Sequence, residues 1–107
     1  MNVFAIDRLD SHRAWLEKSY DGERLVVAAY VEAAHAVKLN YKLVSSKSGK
    51  SGNSNTKQAG SVTVADGETH RLMQLRLGVN KQDRYDLKLQ VFEQGQLVAE
   101  DSLSYPD

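Results

Sequence analysis

The sequence contains no cysteine, a single proline and no apolar run near the length of a membrane-spanning helix. Without thiols the chain has no disulfide staple, no thiol redox chemistry and no thiolate ligand for a metal. An oxidising compartment is not thereby excluded, because a domain with a sufficient core is stable there without staples. A spanning helix needs about 20 consecutive apolar residues, and no segment approaches that. Net charge is also missing, since 14 basic side chains balance 14 acidic ones. Bulk charge therefore points to no particular partner. The opening segment from Met1 to Asp7 is too short and too acidic for a signal peptide. The sequence fits either a cytosolic protein or a mature form with an added initiator Met.

What is present describes one globular domain. The chain has 107 residues, 41% of them apolar and 26% charged, which is ordinary for a folded domain and unlike a disordered one. Its charge is unevenly spread. No acidic residue lies between Glu32 and Asp66, whereas Lys38, Lys42, Lys47, Lys50 and Lys57 all do. Acidic groups gather later, at Glu93, Glu100, Asp101 and Asp107. A neutral chain with this distribution can present one basic face.

Strict alternation of apolar and polar residues runs through Val37–Leu43 and Tyr85–Val91, and again through Met73–Leu77. Ser61–Val64 is a short β-branched run. Period two sends one set of side chains into a core and the other into water. Turn signals separate these segments: Asp21-Gly22, Asp66-Gly67 and Gln94-Gly95 supply the residues that tight turns demand. The pattern predicts an all-β antiparallel sandwich of about seven strands. Ser45 to Gly60, rich in Ser, Gly, Asn and Lys, reads as a long mobile loop. Leu25 to Ala36 is nearly continuous apolar and fits a buried helix as well as a strand. Its β-branched Val26, Val27 and Val31, just after a hairpin signal, favour the strand. The first dozen residues are compatible with an extra strand, a short helix or a frayed tail.

Residues for catalysis are hard to find. His12, His35 and His70 lie far apart and lack metal-ligand spacing on any one element. They read as surface or edge histidines, and no metal or cofactor is expected. Gly49-Lys50-Ser51 resembles the end of a phosphate-binding loop but lacks the first glycine at the required distance. Glu100 and Asp101, if on a strand, point to opposite faces, which argues against a shared acid–base role and suits protection of an exposed edge. The chain is expected not to be an enzyme.

The stretch Ser51-Gly52-Asn53-Ser54-Asn55-Thr56-Lys57-Gln58 resembles a Ser-Gly-polar-Ser-polar-Thr-Lys-Gln segment of the CsgC-like curli assembly inhibitors, which include the CsgH proteins. Strand lengths and turns look alike from Arg13 to Pro106, with Gly22 at the first hairpin, Asp83-Arg84 opening a late strand and Tyr105-Pro106 closing the chain. The resemblance implies an immunoglobulin-like domain at 13–107, with a long loop at 45–60, preceded by a flexible extension at 1–12. It also decides the Leu25–Ala36 segment in favour of strands. It further implies a periplasmic, monomeric chaperone, its signal segment removed, that transiently holds curli subunits in a non-amyloid state below stoichiometric amounts. Some family members carry Cys-x-Cys in the third strand, where this chain has Val37-Lys38-Leu39. Redox activity is excluded here, while the alternation is intact.

In such a sandwich the third and sixth strands are neighbours in one sheet. Lys38, Asn40, Lys42, Arg84 and Lys88 would then share its outer surface as a client-binding set, with Asp86 as the dissenting charge. The same row equally suits a plain solvated face. Lys47, Lys50 and Lys57, placed in the loop, suit solubility. Tyr85 fits a tyrosine corner or simple core packing, and Trp15 is expected at the sandwich edge. Two rival functions are open: a nucleic-acid binder using the lysine-rich loop, and a generic sandwich module with a stable protein partner. The first needs aromatics interleaved with basic residues, and only Tyr41 falls among them. The second needs exposed aromatic anchors, and no such cluster is visible in the sequence.

Overall fold

The alternating segments form strands, and the turn dipeptides fall between them. The computed structural model describes residues 12–50, 52–78 and 82–106. In chain order the strands are β1 (His12–Asp21), β2 (Arg24–Ala33), β3 (Val37–Gly49), β4 (Gly52–Val64), β5 (Thr69–Gly78), β6 (Arg84–Glu93) and β7 (Gln96–Tyr105). One sheet has the order β1-β2-β5 and the other β4-β3-β6-β7, with every neighbouring pair antiparallel. No helix occurs among the described residues. This is the all-β sandwich expected from the pattern, in the immunoglobulin-like form that the family resemblance implied.

The core lies between the sheets. Leu25, Val27 and Val31 from β2 meet Leu39 of β3 and Leu89 and Val91 of β6, all fully buried. Truncating one of these to alanine would cost about 2–5 kcal/mol through lost transfer energy and the cavity left behind. β2 explains the ambiguous apolar segment. It is the middle strand of its sheet, so Val26 and Ala28 on its outer face are also buried. Their cross-strand neighbours Glu17, Gln74 and Arg76 carry long side chains whose stems cover apolar surface. A strand covered on both faces loses its alternation and looks like a helix.

Turn chemistry sets the register. The β6–β7 hairpin places Gln94 at φ 51° and Gly95 at φ 83°. Both central residues are thus left-handed, as the tightest hairpin type requires. In the β1–β2 hairpin Asp21 pairs with Arg24, so the turn is centred on Gly22 (φ 63°) and Glu23. Asp66-Gly67 turns the chain from one sheet to the other, and the Gly67 amide donates to the Ala33 carbonyl at 2.9 Å. Tyr85 fills both roles considered for it. Its ring is buried, and its hydroxyl donates to the Gly78 carbonyl at 2.6 Å, tying β6 back to the end of β5.

Two expectations need correction. Residues 45–60 are not a loop, because β3 continues to Gly49 and pairs with β4 from Ser45↔Thr56 through to Gly49↔Gly52. A ladder is made by backbone groups. Polar side chains are no obstacle where the strand faces water on both sides, as at the exposed Gly52–Ala59. The second concerns the domain start: His12 is the buried first residue of β1 and belongs to the sandwich. The rest of the N-terminal extension, residues 1–11, lies outside the described residues.

Candidate functional site

β3 and β6 lie side by side, and their alternation puts one set of side chains on the outer face of the four-stranded sheet. Lys38, Asn40, Arg84 and Lys88 are exposed there, and Lys42 is half-buried. The register spreads them along the strands rather than into one cluster. Arg84 lies opposite Ser48, ten positions along β3 from Lys38, or about 33 Å at strand rise.

The centre of the face is more concentrated. Val44 of β3 is flanked by Lys57 on β4 and Lys88 on β6, with Lys42 two residues along its own strand. Adjacent strands are about 4.8 Å apart, so three lysines rise from the positions around one half-buried valine. Lys57 was assigned to a loop in the sequence and joins this face only because β4 is paired. None of Lys38, Lys42, Lys57 and Lys88 has an ion-pair partner among the described residues. Their charge is uncommitted.

Arg84 is different. Its Nε lies 3.4 Å from Asp86, which also accepts a 2.6 Å hydrogen bond from the Ser104 hydroxyl. That hydroxyl is the main cause holding the Asp86 carboxyl below its ordinary range; desolvation opposes it, and the charge and hydrogen bond of Arg84 add to it. The Arg84 end of the face is therefore locally neutral. At the opposite end Asn40 sits between Ser61 and Phe92, and Phe92 lies opposite the exposed Leu97. Strand parity alone would have put Phe92 outward, since Tyr85 and Val91 point inward. Lys47, expected in a loop, lies on β3 with the opposite parity and is not part of this surface. It points to the end of the core, 3.6 Å from buried Asp83 and 5.9 Å from the Tyr85 ring centroid.

The outer face of the three-stranded sheet carries a pair of half-buried aromatics that the sequence did not reveal. Trp15 stacks on Tyr30, its cross-strand partner, with ring centroids 5.6 Å apart and planes 18° from parallel. Arg13 lies 5.3 Å from the Trp15 ring and 3.3 Å from Glu32, while the Trp15 indole donates to Glu17 at 2.9 Å. Trp15 thus sits on the border strand β1, as expected, and there forms an outward-facing stack with Tyr30.

Histidine placement also departs from expectation. His70 stands apart on β5, opposite Val31. His12 and His35, by contrast, lie with ring centroids 5.1 Å apart beside Glu93, because His12 pairs with Ala33 just before the bend that carries His35. Sequence spacing gave no hint of this, since the cluster depends on strand register. Glu100 and Asp101 point to opposite faces, and Asp101 accepts the Leu16 amide of β1 at 2.9 Å.

These features define a small immunoglobulin-like domain that presents a polar, lysine-bearing sheet face. Over residues 16–103 the chain matches the family described as CsgH protein, and it belongs to that family. No curated protein matches it in sequence. The solution structure of R. palustris CsgH is similar with a TM-score of 0.66 and 22% identity, over 83% of this chain and 89% of that one. The E. coli curli protein CsgC is similar with a TM-score of 0.74 and 21% identity, over 91% of this chain and the whole of that one. A β-glucuronidase of Bacteroides uniformis shares the fold across 88% of this chain at 10% identity and TM-score 0.55, but over only 14% of its own length. The sandwich is a widely used scaffold, so the family match carries the curli connection.

Proposed function

We propose that this chain is a periplasmic chaperone that delays amyloid nucleation of a curli subunit through brief, charge-guided contacts. The observation that carries the reading is the group of lysines Lys42, Lys57 and Lys88 around Val44, none of them ion-paired among the described residues, in a member of a curli-associated family. Complementary charge mainly raises the rate of encounter. Each exposed pair contributes only about 0–1 kcal/mol, so contacts form and break without a stable complex. Flexible ammonium groups suit this because they impose no single geometry. Val44, and Phe92 with Leu97 further along, offer apolar surface to a client once charge has brought it close. On this reading the protein acts as a monomer, uses no cofactor and performs no catalysis.

Fibril growth of a curli subunit, followed with this protein at a small molar fraction, tests the idea. The native chain should lengthen the lag. The Lys42→Glu, Lys57→Glu, Lys88→Glu variant, with an unchanged circular-dichroism spectrum, should lose most of that effect. An equal lag with both proteins would remove this face from the mechanism, and no lag extension by the native chain would remove the function.

The stacked Trp15–Tyr30 pair favours a second reading, a protein-binding module that docks a stable partner on the three-stranded sheet. A long-lived complex in size-exclusion chromatography, lost on Trp15→Ala, would identify that mode. A low-salt gel shift that fails to retard nucleic acid would dispose of the lysine-based alternative.

A further inference from the structure

We propose that His12, His35 and Glu93 form a binding site for a divalent transition-metal ion, with zinc the best fit. The three residues come from separate elements: the first position of β1, the bend between β2 and β3, and the end of β6. One imidazole nitrogen from each histidine and one carboxylate oxygen lie within 4.8 Å of one another. Ligand atoms at normal zinc distances, about 2.0–2.1 Å, stand about 3.3 Å apart in a tetrahedral site. Small side-chain adjustments therefore bring all three onto one ion.

The donor set matches the chemistry. Two imidazoles and a carboxylate are borderline ligands that suit zinc and its first-row neighbours better than calcium or magnesium, which prefer oxygen alone. Three protein ligands leave a fourth position for water or another group.

A second observation is independent of this proximity. The His12 side chain is 3% exposed, and its Nε2 lies 2.8 Å from Glu93 Oε1. The other ring nitrogen, Nδ1, is buried with no hydrogen-bond partner, the one side-chain atom in that condition among the described residues. Buried polar atoms are nearly always satisfied, so an orphan of this kind marks a ring whose partners are incomplete. Access is open from outside, because His35 is exposed and the Glu93 side chain is 30% exposed.

The ion would join strands of both sheets at one end of the sandwich. A disulfide often does this work in immunoglobulin domains, and this chain has no cysteine. Metal held by the folded state and not by the unfolded chain stabilises by mass action.

The test uses tag-free protein stripped with chelator, titrated with zinc by calorimetry and with cobalt(II) by visible absorption. One zinc per chain is expected, together with cobalt ligand-field bands and a melting temperature raised by about 10–15 °C at a hundredfold excess over Kd. Because His12 is buried and its loss would disturb folding, the deciding variants are His35→Ala and Glu93→Gln. Each should fold as the native chain does and bind zinc at least about tenfold more weakly, with the cobalt bands lost. His70→Ala should bind as the native chain does. Absence of stoichiometric binding, binding unchanged in His35→Ala, or binding lost in His70→Ala would each overturn the site.

Discussion

The two outer faces of the sandwich share one pleat and one period, yet they treat charge in opposite ways. On the three-stranded sheet three of the four arginines are committed, and only Arg24, at the β1–β2 turn, has no such partner among the described residues. Arg13 is held by Glu32 and the Trp15 ring, Arg71 donates to Gln74 at 3.0 Å, and Arg76 pairs with Asp21 at 2.9 Å. On the four-stranded sheet Lys38, Lys42, Lys57 and Lys88 have no such partner among the described residues. A committed arginine contributes to its own surface. An uncommitted lysine is available to another molecule, and its field extends about 10 Å at 0.1 M salt. The contrast teaches that the number of basic residues on a face matters less than how many are already spoken for.

Four measurements break or sharpen this contrast, beginning with the strongest effect. Reversing Lys42, Lys57 and Lys88 together should cut the retardation of fibril growth by roughly a factor of five or more, whereas Arg13→Glu with Arg76→Glu should leave it nearly intact. Equal losses would erase the distinction between the faces. Next comes salt. Raising ionic strength from about 0.01 M to 0.1 M shortens the screening length from about 30 Å to 10 Å, and retardation relative to client alone should fall severalfold. A salt-independent lag would point to apolar contact instead.

Trp15→Ala should change the lag by less than about twofold while lowering stability in urea by about 1 kcal/mol or somewhat more, since it removes an aromatic pair. A lag effect as large as that of the lysine variant would transfer the contact to the other sheet. The smallest effect belongs to Asp86→Asn, which releases Arg84 and adds one positive charge to the lysine face. Retardation should rise slightly, as measured by the same lag. Acid should act likewise. The Asp86 carboxyl is held below its ordinary value, so its stabilising contribution is present above that value and is lost as pH falls through the depressed one. Arg84 is set free only in that acidic range. An Asp86 titration followed by NMR at or above the ordinary carboxylate range would contradict the arrangement.

Much of this architecture was readable in advance, for a definite reason. Val37–Leu43 and Tyr85–Val91 each have one dry and one wet face, and period two records that difference directly. Lys38, Asn40, Lys42, Arg84 and Lys88 were assignable to one face by parity, without knowledge of the register. What parity does not convey is distance along the strand, so the gap between Lys38 and Arg84 was invisible. Nor does it convey pairing between side chains, and the neutralisation of Arg84 by Asp86 and Ser104 went unseen. Lys57 was lost for another reason: Ser, Asn and Gly signal a loop by composition, while the ladder from Ser45 to Gly60 is held by backbone groups that composition does not report. The Trp15–Tyr30 stack turned on a single position. A turn centred on Asp21-Gly22 would set Trp15 opposite Ala28; centred on Gly22–Glu23, it sets Trp15 opposite Tyr30.

One bond on the flank of the molecule bears on how a sandwich of this shape protects its border strands. The carboxylate of Asp101 on β7 takes the Leu16 amide of β1, joining the border strands of the two sheets. An amide engaged in this way cannot template an incoming chain, so the seam between β1 and β7 is blunted against sheet extension. If the proposed function holds, a guardian whose own margins invited strand addition would become a seed for the fibre it opposes; at this seam, a single side chain helps keep the border strands closed.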